Sequence, residues 1–295
     1  MSDIVFEHVN KQQDGLSPLY DISFSVKQGE VYTILASKNS GKHTILSLLM
    51  GLVKPDSGSV TLKGKDCFLQ RRQVHKMAGF VSYRAPFPYS ADGEKYIRFL
   101  ADWHGNASFK KMQYIMEKLN INPLGSFKHM DDDNIRKMSV LAGLMYDSPI
   151  LVLDEPYAGL NPVDRDSLTQ ILAEEKEQGK TILLMTRILQ QAQKISDKIC
   201  IMRKGRIVVE QHAEALNAIR QKVYHISFST EDEASRFSQE WENGVELLGK
   251  RAIVAVPGSP KALIKTLADY DVMDFVGGKE DGEEFFLRFY GDEMQ

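Results

Sequence analysis

A short segment near the amino end carries the residue types that phosphate binding needs. Residues 36–44, ASKNSGKHT, resemble the loop pattern G-x-x-x-x-G-K-[ST], in which backbone N–H groups and a lysine bind phosphate. Gly41 and Lys42 match this pattern. Ala36 stands at the first glycine, and His43 stands where Ser or Thr is expected. The match is imperfect, so this segment alone does not decide between a working nucleotide site and a chance resemblance.

A second segment supplies the acids that such a site uses. Residues 151–156, LVLDEP, form an apolar run that ends in two carboxylates. This run resembles a Walker B segment, in which Asp154 would help to hold Mg²⁺ and Glu155 would polarise an attacking water. The alternative is an ordinary strand end capped by acids. The residues that follow this segment decide between the two.

The elements around these segments have the order that a phosphate loop requires. The short β-branched run before the loop predicts a buried strand, and the run after it predicts a helix. Alternating or apolar runs predict further strands, and the turn at Lys204-Gly205 predicts a hairpin. The predicted strands are 3–9, 22–26, 31–36, 149–156 and 179–187, with the hairpin at 198–210. The predicted helices are 43–52, a mostly helical stretch at 95–146, and 165–178.

The chain beyond residue 222 has a different pattern. Its runs predict the order strand, helix, strand, strand, helix, strand, followed by a last helix at 283–291. This βαββαβ order predicts a small ferredoxin-like α+β domain.

Charge, hydropathy and cysteine content indicate which classes of protein to exclude. A net charge of −3 offers no case for nucleic-acid binding. No apolar run is long enough to span a membrane, and the opening MSDIVFEHVN lacks the features of a signal peptide. Cys67 and Cys200 have no metal-ligand spacing, which favours a reduced cytoplasmic protein with structural cysteines.

Longer segments resemble one family, the nucleotide-binding subunits of ABC transporters. Residues 158–165, AGLNPVDR, are similar to the D-loop that follows the Walker B acids in that family. Residues 51–66 and 179–208 resemble two further family segments, and the resemblance runs over about 3–212. The tail, ending EEFFLRFYGDE, is similar to the C-terminal extension of two-component exporter ATPases. Other phosphate-loop classes, such as small GTPases and kinases, are disfavoured by the LDEP and AGLNP segments.

The resemblance implies a fold and a domain organisation. We expect an α/β protein with a P-loop ABC-ATPase core, made of a mixed sheet and a helical subdomain at about 84–146, within a nucleotide-binding domain at 1–218. We expect a small C-terminal α+β, ferredoxin-like domain at 219–295. The same resemblance implies ATP and Mg²⁺ as cofactors. Asp154 would hold the Mg²⁺ ion, and Glu155 would act as the catalytic base.

The family pattern also marks departures inside the loop. The inner glycine is Asn39, which can take positive φ and so preserve the anion-binding backbone. His43 is a poor ligand for Mg²⁺, and Thr44 lies roughly 100° further around the helix, so it is a weak substitute. The cofactor-binding positions implied by the resemblance are Ala36, Ser37, Lys38, Asn39, Ser40, Gly41, Lys42, His43, Thr44, Tyr83 and Arg187.

Four family positions elsewhere carry unexpected residues. The aromatic that stacks on adenine falls at Gln13, and the glutamine that senses the terminal phosphate falls at Tyr83. The switch histidine falls at Arg187, and the D-loop aspartate at Asn161. Each change removes a contact that the resemblance assigns to nucleotide binding or hydrolysis.

The signature segment is the largest departure. The family's LSGGQ falls at residues 130–134, Met-Asp-Asp-Asp-Asn, at the start of a helix. In the family this helix end faces the terminal phosphate of ATP on the opposite subunit, where exposed N–H groups stabilise the anion. Taken alone, these residues predict an acidic N-cap at the start of the helix. The three carboxylates would repel the triphosphate of ATP unless a cation lies between them.

Two hypotheses follow for function. The first is the ATP-binding subunit of an ABC exporter, coupling ATP binding or hydrolysis to a separate transmembrane permease, with hydrolysis weak or dependent on a partner. The second is a non-hydrolytic, structural or regulatory subunit of a heteromeric complex. Both imply a permease and a second ABC ATPase subunit, most simply as a heterodimer. Both imply a cytoplasmic location at the inner face of the membrane through that partner.

Overall fold

The computed structural model describes residues 1–12, 15, 17–36, 40–83, 87–104, 107–214, 221–241, 244–257 and 259–278. The chain divides into two units, Met1–Ala213 and Glu214–Gln295. Each unit has its own sheet and its own apolar core.

A six-stranded mixed sheet forms the centre of the first unit. Its order is β10-β9-β3-β8-β7-β6, and all neighbours are parallel except the hairpin pair β9 and β10. The strands are β3 (Val31–Ala36), β6 (Ala78–Val81), β7 (Ile150–Asp154), β8 (Thr181–Thr186), β9 (Lys198–Arg203) and β10 (Arg206–His212). Strands β3, β7 and β8 are buried at every residue, as apolar, β-branched strands in the middle of a parallel sheet should be.

A four-stranded antiparallel sheet lies against this core. Its order is β2-β1-β4-β5, with β1 (Ser2–Lys11), β2 (Leu19–Lys27), β4 (Ser57–Leu62) and β5 (Lys65–Asp66). The rings of Phe6 and Phe24 stack at 4.6 Å, and Phe24 stacks on Tyr32 of β3 at 5.2 Å. This column of three rings joins the antiparallel sheet to the central sheet.

Helices connect and cover the strands of the first unit. They are α1 (Lys42–Leu49), α2 (Arg71–Met77), α3 (Gly93–His104), α4 (Phe109–Lys118), α5 (Asp132–Leu144), α6 (Pro162–Glu177) and α7 (Leu189–Ile195), with a 3-10 turn at Phe127–His129. Helices α3, α4 and α5 follow one another between β6 and β7, where the sequence predicts a helical region.

The central sheet brings the chemically important residues to one edge. Strands β3, β8 and β7 are parallel neighbours, and their carboxyl ends lie at Ala36, Thr186 and Asp154. Residues that directly follow these strands therefore meet at the same edge of the sheet. Lys42, the acids Asp154 and Glu155 at the end of β7, and Arg187 are thereby brought together.

The second unit has the predicted βαββαβ order. Its elements are β11 (Gln221–Phe228), α8 (Glu231–Glu240), β12 (Val245–Leu248), β13 (Arg251–Pro257), α9 (Lys261–Leu267) and β14 (Val272–Gly278). The sheet order β12-β13-β11-β14, antiparallel throughout, is that of a ferredoxin-like domain. The helix predicted at 283–291 lies outside the described residues.

Most predicted elements are confirmed, and the differences lie at their ends. Helix α6 begins at Pro162, three residues before the prediction, because Asn161 caps it and proline fits the first turn. Helix α1 ends at Leu49, before the predicted end, because the chain turns at Gly51 with φ 63°.

Candidate functional site

The phosphate loop ends in a tight turn that only glycine fits. Gly41 has φ 107° and forms the N-cap of α1. A Cβ at this position would lie 2.6 Å from Leu19 Cδ2 and 2.8 Å from Met202 Cε. Close packing and positive φ thus explain why glycine is present at the entry to the helix.

The other loop residues fall into two groups. Ala36 is the buried last residue of β3, and Ser40 is buried, its carbonyl accepting the Gly205 N–H at 2.8 Å. Residues 37–39, which are the predicted Ser37, Lys38 and Asn39, lie outside the described residues. Gln13, at the predicted adenine-stacking position, also lies outside them.

Glu155 is held by two cations. Its carboxylate forms an ion pair with the Lys42 ammonium, and both side chains are buried, with exposed fractions of 3% and 7%. Arg187 Nε lies 3.2 Å from Glu155 Oε1, and the Arg187 backbone N–H donates to Oε2 at 3.2 Å. The carboxylate predicted to act as a base therefore has both oxygens engaged.

Asp154 differs from its neighbour because one of its oxygens is not engaged. Its Oδ1 is buried and has no hydrogen-bond partner among the described residues. The other oxygen, Oδ2, lies 3.7 Å from Nδ1 of His43. Burial raises the pKa of Asp154, and the nearby charge of Lys42 acts in the opposite direction. An unpartnered buried carboxylate oxygen is suited to receive a cation.

The residues after Lys42 do not supply the hydroxyl that a Mg²⁺ site of this kind uses. His43 projects from the first turn of α1 with 64% of its side chain exposed. Thr44 is fully buried, and its hydroxyl donates to the carbonyl of Ser17 at 2.6 Å. Thr44 therefore cannot replace the missing ligand without breaking that hydrogen bond, and the donors present do not fit Mg²⁺.

Tyr83 lies beside an arginine that sequence analysis did not single out. Arg136, on α5, is buried and donates hydrogen bonds to the carbonyls of Ser82, Tyr83 and Glu155. Its guanidinium also lies 6.0 Å from the ring centre of Tyr83. Burial lowers the pKa of Arg136, and the Asp154 and Glu155 charges oppose that change. Arg136 thus ties the signature helix to the ends of β6 and β7.

The three aspartates of the signature segment differ in their contacts and exposure. Asp131 is the N-cap of α5, as predicted, and accepts the Asn134 N–H at 2.7 Å. Asp133 pairs with Lys137 at 2.7 Å, whereas Asp132 is exposed. A cation therefore intervenes at one of the three predicted repulsive carboxylates. Lys137 was also missed by sequence analysis, because one lysine in an acidic helix resembles a solvated surface residue.

A cavity of about 770 Å³ opens over these groups. Its charged and polar lining residues are Lys42, His43, Ser47, His75, Ser82, Tyr83, Asp154, Glu155 and Arg187. Its apolar lining residues are Leu46, Met50, Leu52 and Phe80. The volume lies within the range of small-molecule sites, and its cationic groups favour an anionic ligand.

Comparison with known proteins agrees with this arrangement. A family model described as ABC transporter matches residues 19–158. The Nod factor export ATP-binding protein I of Burkholderia orbicola is 27% identical over 312 residues, covering 100% of this chain and 99% of that protein. An uncharacterized ABC transporter ATP-binding protein of Methanocaldococcus jannaschii is 27% identical over 252 residues, covering 84% of this chain and 91% of the other.

Solved structures share the fold. An ATP-binding subunit of an ABC transporter superposes with a TM-score of 0.67 at 19% identity, covering 72% of this chain and 91% of the other. A dimeric bacterial ABC transporter cassette gives a TM-score of 0.64 at 18% identity, covering 71% of this chain and 98% of the other. The chain is thus similar in sequence to ABC transporter ATP-binding proteins, and it shares the fold of ABC ATPase cassettes.

Proposed function

We propose that this chain is the ATP-binding subunit of an ABC exporter, acting with a separate transmembrane permease. Similarity to ABC transporter proteins supports the transporter role, and the names of several relatives, which are Nod factor export proteins, support export. No helix among the described residues is both long and apolar enough to cross a bilayer. In this proposal the chain acts at the inner face of the membrane through its contact with the permease.

The observation that carries nucleotide binding is the position of Lys42. Its ammonium lies buried at the amino end of α1, beside Asp154 and at the wall of the 770 Å³ cavity. The N–H groups of that helix end and the lysine charge both favour phosphate. ATP would take the Lys42 contact that Glu155 now makes.

The state of Glu155 supports weak hydrolysis. A general base needs an available lone pair directed at the water it activates. Lys42 and Arg187 engage both carboxylate oxygens, so neither oxygen is free of a protein contact. Tyr83 and Arg187 replace the phosphate-sensing glutamine and the switch histidine. Because each lost transition-state contact costs about 10²–10³ in rate, several losses bring turnover close to zero.

The second candidate is a subunit that does not hydrolyse ATP and serves architecture or regulation. The exposed carboxylate of Asp132, at the start of α5, favours it. In a homodimer both nucleotide sites would face this acidic segment. A heterodimer with a second ABC ATPase subunit avoids that, since one site would then receive the partner's signature segment. We therefore propose a heterodimer.

Calorimetric titration of the purified chain with ATP, with and without Mg²⁺, tests nucleotide binding. We expect saturable binding that Lys42→Ala abolishes. Turnover measured with and without Glu155→Gln then separates the two candidates: a rate that the variant removes identifies residual ATPase activity. No binding at millimolar ATP, or equal binding by Lys42→Ala, would refute nucleotide binding at this loop. Co-purification with a membrane-spanning subunit encoded in the same organism tests the assembly.

A further inference from the structure

We infer that the nucleotide site of this chain selects a divalent ion that accepts imidazole nitrogen, with His43 and Asp154 as protein ligands and phosphate oxygens completing the coordination. The inference rests on the proposed nucleotide binding. It concerns which ion accompanies the nucleotide, because Mg²⁺, the ion that the family implies, does not fit the donors present.

Within the described part of the chain, the two hydroxyl side chains on α1 near His43, those of Thr44 and Ser47, are engaged or distant. Thr44 Oγ1 donates to the Ser17 carbonyl and is fully buried. Ser47 also lines the cavity, but it stands four residues beyond His43, roughly 6 Å further along the helix axis. At the position where a hydroxyl would meet the ion, the chain supplies an imidazole.

The carboxylate opposite His43 has an oxygen ready for a cation. Asp154 is almost fully buried, and Oδ1 has no hydrogen-bond partner among the described residues. Burying a carboxylate oxygen without a partner is unfavourable, so a bound cation would relieve that cost. Asp154 and His43 line the same cavity, and the other carboxylate oxygen, Oδ2, is the one that lies near His43.

The spacing of the two side chains fits one shared ion. His43 Nδ1 and Asp154 Oδ2 lie 3.7 Å apart. Two ligands of one tetrahedral Zn²⁺ lie about 3.4 Å apart, given bonds near 2.1 Å. The His43 side chain is 64% exposed, so a small rotation about its χ angles closes the difference.

The donor types decide the class of ion. Mg²⁺ prefers oxygen ligands in a near-ideal octahedron, whereas imidazole suits Zn²⁺ and neighbouring transition ions. A mixed set of one imidazole, one carboxylate and phosphate oxygens therefore favours Zn²⁺ or Co²⁺ over Mg²⁺.

Two protein ligands make the site dependent on nucleotide. Among the described residues, no group of three or more His, Cys, Asp or Glu side chains is arranged to hold a metal. His43 and Asp154 alone provide too few ligands for a stable protein site. We expect Zn²⁺ or Co²⁺ to bind tightly only together with nucleotide.

The test is calorimetric titration of the full chain with ATP in saturating Mg²⁺, Co²⁺ or Zn²⁺, for wild type, His43→Ser and His75→Ser. Free ATP has its own order of ion preference, so the readout is the ratio of wild-type to variant affinity for each ion. His75 lines the same cavity but contacts the Met50 carbonyl at 2.8 Å, which makes it a matched control. The visible absorption of Co²⁺–ATP provides a second readout.

We expect His43→Ser to weaken Co²⁺–ATP and Zn²⁺–ATP binding by at least ~10-fold while leaving or improving Mg²⁺–ATP binding. We expect any change caused by His75→Ser to be equal for the three ions, and the Co²⁺ spectrum to shift on adding wild type but not His43→Ser. Nucleotide binding that His43→Ser alters equally for all three ions, or not at all, would overturn this inference alone. No binding with any ion, in wild type and Lys42→Ala alike, would overturn the proposed function as well.

Discussion

Lys137 and Asp164 form a buried ion pair that joins α5 to α6, with 2.6 Å between the ammonium nitrogen and Oδ2. The exposed fractions of the two side chains are 7% and 9%. Lys137 also contacts Asp133, so one cation connects the signature segment to the helix that Asn161 caps. The acidic segment is thereby fixed relative to the residues that follow β7.

Removing this cation should destabilise the fold. We expect Lys137→Met to lower the free energy of unfolding by about 3 kcal/mol, because it leaves the Asp164 carboxylate buried without its charge partner. Urea unfolding followed by circular dichroism measures the change. Lys194→Met is the matched control, since Lys194 pairs with Asp166 at the surface and should cost less than about 1 kcal/mol. Equal effects of the two variants would show that burial of the Lys137 pair contributes little.

Competition between Glu155 and nucleotide for Lys42 gives a second prediction. In Glu155→Gln a neutral amide replaces the carboxylate, so the ammonium is held less strongly and ATP should bind about tenfold tighter, or about 1.4 kcal/mol. Arg187→Gln should instead weaken ATP binding, because it removes a cation from the cavity and leaves Lys42 as the remaining cation that pairs with the Glu155 carboxylate among the described residues. Calorimetry measures both affinities.

The control for this prediction is Glu94→Gln. Glu94 pairs with Arg98 on the exposed face of α3, so the same change of charge occurs away from the cavity. Unchanged or weaker ATP binding by Glu155→Gln would mean that the ion pair with Lys42 does not compete with nucleotide.

The raised pKa of Asp154 predicts that the free energy of unfolding depends on pH. Burial raises its folded pKa above the ordinary value of 3.8, so the folded chain holds this proton more tightly than the unfolded chain. The contribution of Asp154 to the free energy of unfolding is therefore fully present at low pH. It declines as pH rises from 3.8 through the pKa of Asp154 in the folded chain. Asparagine cannot ionise, so we expect Asp154→Asn to be more stable than wild type at neutral pH, with a gain that shrinks toward pH 3.8.

Urea midpoints measured across this pH range for both chains test the sign. A variant that is less stable than wild type at neutral pH would contradict it, because desolvation would then not be the dominant effect on Asp154.

The sequence predicts those parts of the site that lie at the ends of buried strands. The apolar runs before Ala36 and Asp154 identify two buried strands, and parallel strands place their carboxyl ends at one edge. The nearness of Lys42 to the acids follows from those runs. The family resemblance adds Arg187 and the signature segment, which no local pattern identifies.

The remaining contacts depend on packing between distant segments. The Thr44 hydroxyl is taken by Ser17, 27 residues away, through the way the start of β2 lies against α1. Arg136 and Lys137 occupy an acidic, polar part of the sequence that resembles a solvated helix face. Their burial follows from the approach of α5 to β6 and α6, which side-chain periodicity does not reveal.

That approach of α5 to β6 depends on Gly143. A Cβ added there would lie 2.5 Å from the Phe80 carbonyl oxygen and 2.5 Å from Val81 Cγ2. Alanine favours a helix over glycine by up to ~1 kcal/mol, but overlap with a backbone oxygen costs more. We expect Gly143→Ala to destabilise the chain by roughly 2 kcal/mol in urea unfolding.

The same substitution should also disturb the site, because α5 carries Arg136 to the carbonyls of Ser82 and Glu155. We expect ATP affinity to fall under native conditions where Gly143→Ala remains folded. Gly244→Ala is the matched control, since no atom lies within 4 Å of its added Cβ, and it should change stability by less than ~0.5 kcal/mol. If Gly143→Ala loses stability but keeps wild-type ATP affinity, the placement of Arg136 does not depend on this helix contact.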